Sequence, residues 1–324
     1  MKKLHRSLRG SLFVILALLI SGILTGCATS TQEVRSAGEY GQMSDPFKEG
    51  FQRNYSASVP EDPALQKTLP EMTADEYEAS GDVYFNRKEY TMAFVQYEKS
   101  LGMKPDSVRI YFKQGMLFLH VGKREEAVKS FQKVLEKDPG RAAAHEGMGI
   151  AFFEMRQYQE AEKHFVKAVE LDGTLWKARN YLGTIYDLQK KYDQASREYA
   201  EAILLRPDEG ALYNNLGVSL SLAGRYEESI SAFKQALSAK GPKERVYNNL
   251  GLVLAKTGRY DAALDAFMKG SDSAKAYNNI GCLYLTQGEY RKAAQFFNKA
   301  IEVSPKFYVK ANENLKKAEM GEIK

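Results

Sequence analysis

The repeating unit of this chain is clearest in residues 210–243, which read GALYNNLGVSLSLAGRYEESISAFKQALSAKGPK. Gly217 in this stretch belongs to a series of glycines that recur at a fixed interval. Five successive intervals are 34 residues and the last is 30, and the members are Gly81, Gly115, Gly149, Gly183, Gly217, Gly251 and Gly281. Self-similarity at a period of this length is the signature of a repeat architecture.

Other residue types keep the same offset from each glycine. Sixteen residues after each glycine the residue is aromatic, and the set is Tyr97, Phe131, Phe165, Tyr199, Phe233, Phe267 and Phe297. Twelve residues after each glycine the residue is small, and the set is Ala93, Ala127, Ala161, Ala195, Ser229, Ala263 and Ala293. These offsets predict two amphipathic helices per unit. A helical glycine costs about 1 kcal/mol relative to alanine, so we expect close approach between the two helix backbones at this position.

This pattern resembles the tetratricopeptide repeat (TPR). The resemblance implies an all-α fold, a right-handed α-solenoid of seven helical hairpins with a C-terminal capping helix at residues 308–324. The seven repeats predicted between residues 74 and 307 are residues 74–107, 108–141, 142–175, 176–209, 210–243, 244–273 and 274–307.

The N-terminal residues 1–26 have the composition of a secretion signal. Four basic residues precede an apolar run that is shorter than the ~20 residues a membrane-spanning helix needs. The run ends in Leu24-Thr25-Gly26-Cys27, which resembles the lipobox of bacterial lipoproteins. That resemblance implies cleavage before Cys27 and a covalent lipid on its thiol. Because Ala28 follows, it also implies a cell-envelope protein, an outer-membrane lipoprotein that faces the periplasm.

Residues 27–73 are predicted to be the lipidated N-terminus and a flexible tether, since they are polar and contain four prolines. Residues 44–55 are the exception. They carry Phe47, Phe51 and Tyr55 at helical spacing, which predicts either a helix that packs on the first repeat or a partner-binding motif.

The charge of the chain gives no reason to expect nucleic acid. Four of the 46 Lys and Arg lie in residues 1–26, which contain no Asp or Glu. The other basic residues are nearly balanced by the 41 acidic residues, so the rest of the chain carries a net charge of about +1. The expected partners are instead proteins, held on the concave face of the repeats, and the membrane, held by the lipid.

Asparagines precede the repeat glycines in the later repeats. They are Asn180, Asn214, Asn215, Asn248, Asn249, Asn278 and Asn279. An asparagine amide offers a donor and an acceptor, so a row of them on the concave wall would bind the backbone of an extended peptide. The alternative is that these side chains are simply solvated. Lys177, Arg245 and Lys275 are predicted to add positive charge that favours an acidic segment.

The 30-residue interval indicates a missing helical turn of about 5.4 Å between Phe267 and Ala274. We expect stacking to change there, among the asparagine-bearing repeats.

No catalytic constellation is apparent in the sequence. His120, His145 and His164 fall on three different predicted helices without metal-ligand spacing, and no nucleophile pairs with them. Cys282 is predicted to be a small buried residue. The sequence therefore predicts a protein that is not an enzyme and that carries no cofactor and no metal.

The combination of lipobox, tether, repeats, YNNLG at 213–217 and 247–251, YNNIG at 277–281 and a shortened repeat resembles the lipoprotein of tight-adherence (Tad) pilus systems. It is less similar to the TPR pilotins of type IV pili. The resemblance implies assistance to an outer-membrane secretin or to pilus components during assembly of a secretion complex. An adaptor lipoprotein for periplasmic proteases or cell-wall enzymes is the alternative.

Overall fold

The computed structural model describes residues 72–304 and 308–322. Within these residues the chain forms fifteen α-helices and no β-strand, apart from one isolated bridge between Glu209 and Lys240. The predicted all-α class is therefore confirmed. The helices are α1 (Ala74–Asn86), α2 (Tyr90–Met103), α3 (Val108–Val121), α4 (Arg124–Lys137), α5 (Ala142–Glu154), α6 (Tyr158–Leu171), α7 (Trp176–Leu188), α8 (Tyr192–Leu205), α9 (Gly210–Leu222), α10 (Tyr226–Ser238), α11 (Glu244–Lys256), α12 (Tyr260–Gly270), α13 (Ser273–Thr286), α14 (Tyr290–Val303) and α15 (Tyr308–Glu322).

The helices form two compact units. The first unit ends at Gly173 and contains α1 to α6, and the second begins at Thr174 and contains α7 to α15. In each unit the two helices of a hairpin pack on one another, and each hairpin packs on the next along the chain. This is the solenoid packing that the repeats predict.

The repeat glycines are required by the aromatic residue of their own hairpin. A Cβ added at any of the seven would lie 2.4–2.8 Å from the ring sixteen residues later. Those rings are buried, as Phe297 shows at 0% exposure. The expected close approach is therefore mainly to a ring and not to the backbone of the second helix. The backbone contributes at Gly251, where the Ala263 carbonyl oxygen would lie 3.1 Å from such a Cβ.

The turns between paired helices need one residue with positive φ. Gly288 supplies it after α13 with φ of 76°. In three hairpins a residue with a side chain takes this conformation, namely Lys88, Arg156 and Lys190, with φ between 60° and 65°. Left-handed backbone is unfavourable for such residues, so these three turns are strained relative to the glycine turns.

The sixth hairpin is shortened in its second helix. The α12 helix has 11 residues, whereas α14 in the seventh hairpin has 14. The next helix begins at once, because the Asp272 side chain caps α13 by accepting a hydrogen bond from the Lys275 backbone N–H at 2.9 Å. This is the position of the missing turn that the 30-residue interval indicates.

Several sequence predictions concern residues outside the described ones. They are the signal peptide, the lipidated Cys27, the tether and the helix at residues 44–55. Among the helices that the structure does describe, none is both long and apolar enough to cross a bilayer.

Candidate functional site

The candidate asparagines lie on the first helices of hairpins four to seven, all in the second unit. Asn180, Asn214, Asn248 and Asn278 stand three residues before a repeat glycine, on α7, α9, α11 and α13. Asn215, Asn249 and Asn279 stand two residues before it, on the last three of those helices.

Side chains at these two positions form hydrogen bonds between neighbouring hairpins. Asn215 Nδ2 donates to Asn180 Oδ1 at 2.9 Å, and Asn249 Nδ2 donates to Asn214 Oδ1 at 3.0 Å. Each bond links the first helix of one hairpin to that of the preceding hairpin. Asn180 is 8% exposed, and Asn214 and Asn215 are each 4% exposed. We call these two pairs the asparagine ladder. The amides of Asn180, Asn214 and Asn215 are therefore buried inside the stack, and the donor of the half-buried Asn249 is used there.

The asparagine ladder is interrupted at the shortened sixth hairpin. Asn248 Nδ2 donates to the carbonyl oxygen of Gly270, the last residue of α12, at 3.0 Å. The Asn248 side chain fits there only because residue 270 lacks a Cβ, which would lie 2.8 Å from Asn248 Oδ1. Asn248 Oδ1 is buried and accepts no hydrogen bond.

Asn279 lacks the asparagine acceptor on the preceding first helix that Asn215 and Asn249 each have. It is half-buried, and its amide makes no side-chain hydrogen bond to any residue that the structure describes. Beyond it, the linkage resumes with a residue that the sequence reasoning missed, since Asn314 on α15 donates through Nδ2 to Asn278 Oδ1 at 2.9 Å. Extending the 34-residue register into the capping helix would not have found Asn314, because it stands only one residue before the position 34 residues after Gly281, whereas the candidate asparagines stand two or three residues before a repeat glycine.

The three candidate cations are exposed and lie near the starts of α7, α11 and α13. Lys275 Nζ lies 2.6 Å from Asp272 Oδ2, so part of its charge is neutralised locally. Lys177 Nζ lies 5.7 Å from the centre of the Trp176 ring, a distance at which a cation is attracted to the ring face.

A buried carboxyl group was not anticipated from the sequence. Asp187 on α7 is 1% exposed and accepts hydrogen bonds from Tyr199 Oη at 3.0 Å and from Ser219 Oγ at 2.6 Å. Burial raises the pKa of Asp187 to about 7, although both hydrogen bonds favour the charged form and act in the opposite direction. The group ties the fourth hairpin to the fifth.

The first unit uses the same two positions for an ion pair. Lys113, two residues before Gly115, places Nζ 2.5 Å from Oε1 of Glu78, three residues before Gly81. Lys113 Nζ also lies 2.5 Å from Asp82 Oδ2. The same two positions therefore also link the first helices of hairpins one and two, here through an ion pair.

Larger clusters of metal-ligating side chains are absent from the described residues. In residues 72–304 and 308–322, no group of three or more His, Cys, Asp or Glu side chains is arranged to hold a metal ion. Cys282 is buried, with the amide nitrogens of Asn278 and Asn314 at 3.7 and 3.6 Å from its sulfur.

Comparison with protein families identifies the repeats. Models described as tetratricopeptide repeat match residues 112–175 and 147–209, residues 208–275, and residues 274–307. Together these matches run from residue 112 to residue 307, which is more than half of the 324-residue chain. No curated protein matches the chain in sequence.

Three solved structures with similar folds are distant from this chain in sequence. A tetratricopeptide repeat protein from Parabacteroides merdae ATCC 43184 matches with a TM-score of 0.54 and 17% identity, over 76% of this chain and 98% of that one. The APC/C hetero-tetramer Cut9–Hcn1 matches with a TM-score of 0.53 and 22% identity, over 75% of this chain and 49% of that one. Pseudomonas aeruginosa pilF gives a TM-score of 0.49 and 23% identity, over 64% and 95%. The first two matches support the solenoid fold.

Proposed function

This chain belongs to the tetratricopeptide repeat family, and from that premise we propose that it is a non-catalytic scaffold that binds an extended segment of another protein. Stacked helical hairpins present a continuous wall of first helices, and such walls suit extended protein segments. The proposal concerns the second unit, where the asparagines lie.

The observation that carries the proposal is the unpaired amide of Asn279. The side-chain amides of its counterparts Asn215 and Asn249 donate hydrogen bonds within the asparagine ladder. Asn279 is half-buried and makes no side-chain hydrogen bond within residues 72–304 and 308–322. This amide has a donor and an acceptor that can bond the backbone of a bound segment. Those hydrogen bonds would offset the free-energy cost of removing the amide from water when the segment covers it.

Exposed positive charge near Asn279 favours an acidic segment. Lys275 lies one helical turn before Asn279 on α13, and Arg245 holds the equivalent position on α11. A carboxylate on the ligand would compete with Asp272 for Lys275. Because both groups of that ion pair are more than half exposed, the exchange costs little.

We further propose that the scaffold works at the outer membrane, on its periplasmic side. The support is Leu24-Thr25-Gly26-Cys27, whose resemblance to a lipobox makes Cys27 the lipidated first residue of the mature protein. Several acyl chains on one residue hold a protein to a bilayer, since burial contributes about 0.8 kcal/mol per methylene. Changing Cys27 to Ser should release the protein into the soluble fraction, and continued membrane association would contradict the anchor.

The pathway that we propose is assembly of a secretin or pilus secretion complex. It is supported by the resemblance of the whole arrangement, from lipobox to shortened sixth repeat, to Tad pilus lipoproteins. Deleting the gene should then leave secretin multimers unassembled, whereas normal multimers together with normal pili would exclude this pathway.

The experiment that tests the binding surface is site-specific photo-crosslinking in intact cells. A photoreactive residue at position 279 should crosslink a partner, whereas one at Glu302, exposed on the second helix α14, serves as the matched control. Equal crosslinking at both positions would remove Asn279 from the surface. Identification of proteases or cell-wall enzymes among the products would replace the pilus pathway with the adaptor function.

The amide itself is tested by a single variant that removes it. Asn279→Ala should weaken partner capture and leave the melting temperature unchanged, because the side chain has no hydrogen bond to lose. Unchanged capture by Asn279→Ala would refute the proposed contact.

A further inference from the structure

The third hairpin brings together two histidines that are nineteen positions apart in the sequence. His145 on α5 and His164 on α6 place their Nδ1 atoms 3.1 Å apart. Both rings are half-buried, and Phe152 stacks on the His164 ring at 5.4 Å between centroids. The third histidine of the described residues, His120, instead stacks on Tyr90 in the first unit's earlier hairpins.

The outer nitrogen of His145 fixes which ring atom carries the proton. His145 Nε2 lies 3.2 Å from the carbonyl oxygen of Pro139, which can only accept a hydrogen bond. Assigned in this way, Nε2 of His145 holds the hydrogen, and Nδ1 presents a lone pair toward His164. A histidine whose second nitrogen donates to a backbone carbonyl has the arrangement that orients most metal-bound imidazoles.

Packing alone does not demand two imidazoles at these positions. The seventh hairpin carries Tyr277 and Phe296 at the same two positions, with ring centroids 6.3 Å apart. The fourth hairpin carries Arg179 and Glu198 there, with Arg179 Nη1 3.1 Å from Glu198 Oε2. Aromatic packing or an ion pair therefore serves the fold as well, and the third hairpin differs in offering two nitrogen ligands.

We propose that His145 and His164 form a site for a divalent transition-metal ion such as Zn²⁺, Ni²⁺ or Cu²⁺, bound through their Nδ1 atoms. Two nitrogen ligands at about 2.0–2.1 Å from a tetrahedral metal are separated by roughly 3.3 Å, close to the observed Nδ1 separation. On binding, the hydrogen of His164 moves from Nδ1 to Nε2 by exchange with solvent, so both Nδ1 lone pairs become available and the metal replaces the hydrogen bond between the rings. The remaining coordination positions are filled by water or by a ligand from a bound partner, since imidazole nitrogen suits these three metals.

The surrounding charges permit a cation at this position. On α6, Lys163 is a positive charge that acts on His164, and its Nζ lies 2.7 Å from Glu160 Oε1, which offsets part of that charge. Ion binding would join α5 to α6 within one hairpin.

The test is thermal unfolding and calorimetric titration of the full chain, purified without a histidine tag, against ZnCl₂ and NiCl₂, with MgCl₂ as the control salt. Zinc and nickel should raise the melting temperature and bind with a stoichiometry of one, and magnesium should do neither. The double variant His145→Tyr/His164→Phe copies the seventh hairpin, so it keeps the packing and should lose the response. His120→Gln should respond as the wild type does.

A spectroscopic measurement separates this site from surface binding. Cu²⁺ bound to the wild type should show hyperfine coupling to two nitrogens, which disappears in the double variant. No stabilisation of the wild type by either metal would overturn the proposal. An equal response of the double variant would overturn it as well, because carboxylates elsewhere would then be the ligands.

Discussion

Replacing Asn215 with alanine removes one rung of the asparagine ladder and should destabilise the second unit. Asn215 Nδ2 donates to Asn180 Oδ1 at 2.9 Å, and the two side chains are only 4% and 8% exposed. Alanine at position 215 leaves the Asn180 acceptor in the stack without a donor. Water has little access to replace it.

The expected loss is about 1–3 kcal/mol, the cost of a buried polar group whose hydrogen-bond partner has been removed. For a chain of this size, each kcal/mol lowers the melting temperature by about 2–4 °C. Asn249→Ala should behave in the same way through Asn214, whose acceptor it satisfies at 3.0 Å. Asn279→Ala makes the same chemical change at the equivalent position on α13 but removes no hydrogen bond. Its effect on the free energy of unfolding should therefore stay within about 0.5 kcal/mol.

The assay is urea unfolding of the full chain followed by circular dichroism, with the three alanine variants and the wild type compared at one pH and salt concentration. A double-mutant cycle that combines Asn215→Ala with Asn180→Ala measures the coupling directly, and we expect about 0.5–3 kcal/mol. The reasoning is refuted if Asn215→Ala and Asn279→Ala unfold at the same urea concentration. A coupling energy near zero would refute it independently.

Three further predictions follow from the core and the turns. The pKa of Asp187 is raised from its ordinary 3.8 to about 7, so the folded state binds this proton more tightly than the unfolded state does. The free energy of unfolding should therefore decline as the pH rises from about 4 to 7. Asp187→Asn should remove that decline, and an unchanged pH profile in this variant would contradict the assignment. Gly281→Ala should destabilise by 1 kcal/mol or more, since its Cβ would lie 2.6 Å from the buried Phe297 ring, and a melting temperature equal to the wild type would show that the ring can shift. Lys190→Gly should stabilise by up to about 1 kcal/mol because φ is 60° there, with the glycine turn at Gly288 as the reference, and a lower melting temperature would count against strain.

The sequence was sufficient to predict the helical hairpins because the signal is local and repeated. A glycine at one position and an aromatic residue sixteen positions later specify one contact within one hairpin, and the same contact recurs in each. The group that packs against the glycine was nevertheless predicted wrongly, because the backbone of the second helix was expected and the aromatic ring is found there. Spacing shows that two residues approach closely, but only the direction of the Phe297 side chain shows that a ring fills the space.

Contacts between hairpins could not be predicted in the same way. Asn215 and Asn180 are 35 positions apart and meet because successive first helices stack in a particular register. The sequence showed a row of amides on one helix face, which fits display to a ligand as well as it fits pairing within the stack. The buried Asp187 and the pair of His145 with His164 were missed for the same reason, since each depends on how two helices are placed in space.

The missing turn in the sixth hairpin explains why one asparagine differs from its equivalents. With α12 three residues shorter than α14, the end of α12 comes within reach of Asn248, and Gly270 offers a carbonyl oxygen and no Cβ to exclude the amide. Asn248 therefore turns its amide toward Gly270 and no longer offers Oδ1 to the next first helix. Asn279 is left without the acceptor that Asn180 gives to Asn215. A deletion in the second helix thus changes hydrogen bonding on the first helices, and it creates the unpaired amide on which the proposed binding surface depends.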